Sequence, residues 1–161
     1  MSTKFFSKSE VYVLKKIEKK EDFFDEDFNF SKRDIAEFLN EHLEKFGDPV
    51  EDIKKSIDYA LSSSSAKGGF LLVLHDEDEV LGSVIINNTG MNGYIPEHIL
   101  VYIAVHSKLR GKGIGRKLIE ETKKICDGNI ALHVEYDNPA KKLYERSGFE
   151  SKYAEMRYEN D

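Results

Sequence analysis

The sequence predicts a mixed α/β fold: a mostly antiparallel central sheet with flanking helices. Three observations carry this. The runs "FLLVLH", "EVLGSVII" and "HILVYIAV" are apolar, strongly β-like and separated by polar or glycine-containing turns. Helical periodicity appears twice before them and twice after them. The resulting order is one strand, two helices, a β-meander, then β-α-β-α-β.

The elements follow in turn. "VYVLKKI" (11–17) reads as the first strand, and the acidic, phenylalanine-rich "EDFFDEDFNF" (21–30) as a loop. Ser31, with Asp34 three residues on, reads as a helix N-cap. Ile35, Phe38, Leu39 and Leu43 follow at helical spacing until Gly47. Pro49, at a first helical position, opens a second helix with Val50, Ile53, Ile57 and Leu61 on one face. "SSSSAKGG" (62–69) is a flexible connection. "DEDE" joins two strands as a hairpin, and "TGMNGYIPE" is a loop before the strongly β-like third run. A helix then carries Ile114, Leu118, Thr122 and Ile125. "NIALHVEY" reads as a strand, Asp137 to Arg146 as a short helix ended by Gly148, and "FESKYAEMRYE" as one or two closing strands.

At 161 residues the chain is expected to be one domain, able to bury a core without disulfides. Cys126 is the sole cysteine and sits in an apolar helical pattern, so it reads as a small buried hydrophobe. The longest apolar run is seven residues, against roughly 18 for a membrane span. The first residues show no apolar stretch followed by a small-residue cleavage site, so a cytoplasmic protein is expected. The net charge of −6 argues against a general nucleic-acid binder. Its distribution is uneven: residues 1–66 balance to −4, residues 105–146 to +4. The positive stretch contains "RGKGIG" (110–115), between a strand and a helix.

Backbone N–H groups of such a turn, leading into a helix N-terminus, make an anion site. Arg110, Lys112 and Arg116 add positive charge to it. A magnesium-nucleotide loop would need Ser or Thr after Gly111-Lys112, where Gly113 stands. A dinucleotide fingerprint has different glycine spacing, and 46 residues after Gly115 are too few for its sheet. Two readings stay open: an Arg-x-x-Gly-x-Gly turn of the kind that grips the pyrophosphate of coenzyme A, and a glycine-rich strand-to-helix turn with no ligand.

"VHSKLRGKGIGRKLIE" resembles the acyl-CoA-binding motif of the GNAT superfamily of N-acetyltransferases, and "NPAKKLYERSGF" resembles that family's second signature. The resemblance covers residues 70–150, the acyl-CoA-binding core. Residues 1–66 match only in element order, as a first strand plus two acceptor-side helices. The resemblance implies a splayed pair of strands. Backbone groups of Ile103 and Val105 would bind the pantetheine arm, and Arg110, Gly111, Lys112, Gly113, Ile114, Gly115 and Arg116 would surround the pyrophosphate. A side chain at Gly113 or Gly115 would then meet phosphate. Lys112 and Lys142 are weaker candidates for the 3′-phosphate. Asn138 matches the family's coenzyme-contacting asparagine, although it lies one residue closer to Ala140 than the usual pattern; a helix cap is its other reading.

Tyr144 matches the tyrosine whose hydroxyl points at the coenzyme sulfur, where a phenol can donate to a departing thiolate. The family often places a glutamate at the start of the strand leading to the turn. Glu97 stands near there, and period-two alternation puts it on one face with Ile99, Val101 and Ile103. His106 and His133 match no ligand spacing, so no metal is expected. The expected activity is acetyl transfer from acetyl-CoA to a primary amine, on a small molecule or a protein, with a homodimer as one arrangement. An acyl-CoA-binding module without turnover, or a transferase for another acyl group or an O-acceptor, stays open.

Overall fold

The computed structural model describes residues 11–161, together with the backbone of residues 2–6. A six-stranded sheet runs in sequence order β1-β2-β3-β4-β5-β6. Its strands are β1 (Ser2–Phe6), β2 (Val11–Ile17), β3 (Gly69–His75), β4 (Val80–Asn88), β5 (His98–Val105) and β6 (Ile130–Ala131). The first five pair antiparallel, and β5 pairs parallel with β6. The chain thus has one more strand than expected at its start.

Helices α1 (Lys32–Leu43) and α2 (Val50–Ala60) lie between β2 and β3. Ser31 caps α1 as its sequence predicts: its hydroxyl accepts the Asp34 N–H at 3.1 Å, and the Asp34 carboxylate accepts the Ser31 N–H at 2.8 Å. The helix ends earlier than expected. Gly47 does not terminate it; Glu44 does, at φ 54, and a short 3₁₀ turn, Glu44–Phe46, follows. Pro49 stands just outside α2 as its N-cap, not inside it. The acidic stretch after β2 contains one 3₁₀ turn, Lys20–Phe24. In the β3-β4 hairpin, the Asp76 carboxylate accepts the N–H groups of Asp78 and Glu79, at 2.9 and 2.8 Å.

The sheet separates two cores. Against α1 and α2 pack Ile17, Leu71, Val73 and Ile85, meeting Ile35, Leu39, Ile53 and Ile57. All eight side chains have no exposed surface. Burying each such aliphatic side chain contributes about 1.5–3 kcal/mol. The other face carries Leu72, Leu74, Val84, Ile86, Leu100 and Ile103, which pack with α3 (Ile114–Ile125) and α4 (Ala140–Arg146).

Two strand expectations fail near the chain's end. "NIALHVEY" contributes only Ile130 and Ala131 to the sheet, and residues 150–161 form no strand. Residues 150–161 are all exposed, with Tyr153, Met156 and Tyr158 open to solvent. Strand β5 also breaks its expected alternation. Ile85 pairs with Tyr102 but Ile86 pairs with Leu100, leaving Val101 as an extra residue, a β-bulge. Leu100 and Ile103 consequently face the same core. The bulge shifts the side-chain phase by one, so positions 97 and 99 take the opposite face from Ile103.

Candidate active site

β5 keeps β4 along its length on one side, but β6 reaches only His98 and Ile99 on the other. Beyond them the sheet opens. A cavity of about 510 Å³ occupies the opening, between the far half of β5, the "RGKGIG" turn, α4 and the end of α1.

The turn forms the cavity's mouth. Gly111 and Gly113 take φ of 76 and 78, left-handed values that side-chain-bearing residues adopt at a cost. A Cβ on either would meet no atom of the chain within 4 Å, so conformation, not internal packing, calls for glycine here. Gly115 differs. It lies within the first turn of α3, and its Cβ would come 3.0 Å from Leu143 Cδ2 on α4. It lets α3 and α4 approach each other. No acceptor among the described residues takes the N–H of residues 111–116 within hydrogen-bond geometry. Unpaired first-turn N–H groups are the rule at a helix start and here border the cavity.

The structure brings Ile103, Val105, Arg110, Gly111, Gly113, Ile114, Gly115, Arg116, Asn138 and Tyr144 to this one cavity. Lys112 and Lys142 are exposed and do not line it. Tyr144, on α4, is 8% exposed and packs edge-to-face on Phe149. Its hydroxyl has no hydrogen-bond partner among the described residues, and burial pushes its pKa up to about 12. It therefore stays a protonated donor across the physiological range. Asn138 fits its helix-cap reading, since its side chain accepts the Ala140 N–H at 2.9 Å at the start of α4, and it also lines the cavity.

Glu97 is not brought there. It precedes β5 and does not line the cavity. Its carboxylate accepts the N–H of Asn129 at 2.7 Å, and that bond holds its pKa below the ordinary carboxylate value. The bulge at Val101 explains the difference, because the alternation joining Glu97 to Ile103 is interrupted.

Sequence reasoning missed the wall that the end of α1 and the following 3₁₀ turn supply: His42, Leu43, Glu44 and Phe46. His42 is buried, with its ring centroid 4.2 Å from that of His106. Burial first, then the charges of His106 and Arg110, hold its pKa below the ordinary 6.5. Arg110 donates to the His42 carbonyl at 2.6 Å and to Glu44 Oε1 at 3.1 Å. Glu44, at φ 54 and ψ −129, is the sole non-glycine with positive φ among the described residues, a conformation costing about 1–3 kcal/mol. No local signal announces these contacts, since 66 residues separate Arg110 from Glu44.

The donor set fits an extended, phosphorylated thioester. An open strand edge suits an amide-bearing arm, N–H groups and guanidiniums suit phosphate, and an unpaired hydroxyl suits a departing sulfur. Among the described residues no three His, Cys, Asp or Glu side chains are placed to hold a metal ion, and no helix is long and apolar enough to cross a membrane.

A sheet opened on one side, with an N–H-lined turn at its mouth, is the architecture of the acyl-coenzyme A-dependent acetyltransferases. A family model described as "Acetyltransferase (GNAT) domain" matches residues 67–151, more than half of the chain, and the chain belongs to that family. None of the curated proteins matches it in sequence. Among solved structures it is similar to the aminoglycoside N-acetyltransferase AAC(6')-Iy in complex with CoA, at 15% identity and TM-score 0.65, covering 97% of this chain and 99% of that one. It is also similar to a ribosomal-protein-alanine N-acetyltransferase from Brucella melitensis biovar Abortus 2308, at 16% identity and TM-score 0.58, covering 92% and 99%. A glucosamine-6-phosphate N-acetyltransferase from Arabidopsis thaliana aligns at 17% identity and TM-score 0.53, covering 92% and 99%. At such identities the likeness shows the fold, and these three proteins are named for three different acceptors.

Proposed function

We propose that this protein transfers the acetyl group of acetyl-CoA to a primary amine, by direct attack of the neutral amine on the thioester. One observation carries the reading: the open edge of β5, the unpaired N–H groups of the turn and the unpaired Tyr144 hydroxyl share one cavity. Acetyl-CoA supplies the activated acyl carbon. The N–H groups of residues 111–116, with Arg116, hold its pyrophosphate. The backbone of Ile103 and Val105 aligns the arm that leads to the thioester. The amine nitrogen bonds to the carbonyl carbon, the C–S bond breaks with its electron pair leaving on sulfur, and the second proton released from nitrogen passes to solvent in the open cleft.

Tyr144 stabilises the departing sulfur by hydrogen bonding. With its pKa near 12 and a thiol near 8.5, full proton transfer would be uphill by about 5 kcal/mol. A hydrogen bond that strengthens as charge develops needs no such transfer. Since Glu97 lies outside the cavity, the amine is expected to reach the thioester already neutral, losing its proton to solvent in the open cleft. The rate should then rise about tenfold per pH unit below the acceptor's own pKa.

The test is a titration of the purified protein with acetyl-CoA beside a Gly113→Glu variant, followed by free-thiol release across a panel of amines. Micromolar binding that the variant loses, with amine-dependent thiol release, supports the reading. Binding without thiol release from any amine reduces it to a coenzyme-binding module. Absence of binding by the unsubstituted protein removes it.

A further inference from the structure

We infer that Arg110 changes partners when coenzyme binds, releasing Glu44 to serve as the carboxylate that holds a second, charged ammonium group of the acceptor. The inference rests on the reading that this cavity takes acetyl-CoA.

Glu44 is the sole carboxylate among the cavity-lining residues, which also include Arg110, Arg116 and Arg146. A site for a polyanion gains nothing from it, because a like charge in the wall opposes phosphate. The backbone gains nothing either. At φ 54 and ψ −129 a glycine would sit without strain. A carboxylate is present where a bound polyanion and the backbone conformation would both disfavour it. Among the described residues its one ion-pair partner is Arg110, with Nη1 3.1 Å from Glu44 Oε1.

That pairing turns Arg110 away from the role the motif assigns it. Its guanidinium is spent on Glu44 and on the His42 carbonyl, both at the end of α1. The pair is partly exposed, with side chains 45% and 65% accessible, so it is a weak one. A pyrophosphate at the adjacent N–H groups offers more charge and bidentate geometry, and takes the guanidinium over. Glu44 is then left within the same cavity without its cation. The segment carrying it is fixed on two further sides, by Lys45 to Asp137 at 2.8 Å and by Asp48 accepting the Tyr102 hydroxyl. Glu44 therefore stays at the acceptor end when Arg110 leaves. The acceptor class this selects is a diamine: one nitrogen neutral and reacting, the other cationic and held.

Calorimetric titrations of the whole protein test both halves, with coenzyme A and 1,4-diaminobutane as probes and n-butylamine as the single-charge control. In Glu44→Gln, coenzyme A should bind about three- to tenfold tighter, since a competitor for Arg110 and a like charge are both removed. The diamine should bind the unsubstituted protein only when coenzyme A is present, at least about tenfold tighter than n-butylamine. Glu44→Gln should abolish that difference. Glu44→Gly should raise the melting temperature by relieving strain while losing diamine binding, separating a functional carboxylate from a structural one. Unchanged coenzyme A affinity in Glu44→Gln, or equal diamine binding with and without the carboxylate, overturns the inference while leaving the acetyltransferase reading intact. Failure of the unsubstituted protein to bind coenzyme A overturns both.

Discussion

The two faces of the sheet are built to different standards. Towards α1 and α2, the central aliphatic side chains interlock with no exposed surface. Towards α3 and α4, Val105, Ile114, Ala140 and Leu143 are only partly buried around a cavity of about 510 Å³. The closed face holds the fold; the open one holds the cavity. The difference lies in how far β5 is paired. β4 covers one edge throughout, and β6 leaves the other after two residues.

Substitutions on the two faces should therefore separate stability from activity. The largest effect is expected on the closed face. Ile57→Ala should cost about 2–5 kcal/mol in urea unfolding, while the remaining folded protein keeps its coenzyme affinity. A loss of affinity alongside would mean that the faces are coupled. Next comes the open face: Tyr144→Phe should lower kcat about a hundredfold, roughly 2.7 kcal/mol, with an unchanged melting temperature and coenzyme affinity. An undiminished kcat would reduce Tyr144 to an apolar anchor of α4.

Gly111→Ala should act on both properties modestly, costing about 1–2 kcal/mol of stability through φ 76, although its methyl group meets no chain atom. The smallest effect belongs to His42, at the seam between the faces. The unfolded chain takes up a proton near pH 6.5 that the folded protein resists, so stability is intact above that pH and falls as pH drops below it. The slope, at most about 1.4 kcal/mol per pH unit, should flatten in His42→Gln when melting is followed from pH 7.5 to 5. An unaltered slope would assign the acid sensitivity to carboxylates.

Much of this was legible in the chain. The Ser31-Asp34 cap, the hairpin around Asp76 and the helix after Gly113 are local and follow from capping, turn and periodicity rules. The glycine turn beside the cavity was legible for the same reason, since a contiguous segment forms it. Glu97 went to the wrong side because a bulge leaves no sign in an apolar run such as "HILVYIAV"; only pairing with β4 reveals that Val101 is supernumerary. "NIALHVEY" has β propensity but little partner to pair with. Glu44 looked like an ordinary helical glutamate, and its strained backbone and its hold on Arg110 both come from tertiary contact.

The clasps across the cleft have a temporal consequence. Lys45 meets Asp137 across 92 residues and Glu44 meets Arg110 across 66, whereas β2 to β4 and the helices between them lie within residues 11–88. During synthesis most of the closed core can assemble from residues 11–88, with Tyr102 and Ala104 joining later, but neither clasp exists until its distant partner has emerged. A nascent chain arrested before Asp137 would thus carry the closed core but an unfinished cleft, able to resist proteolysis over residues 11–88 while the cavity still lacks α4.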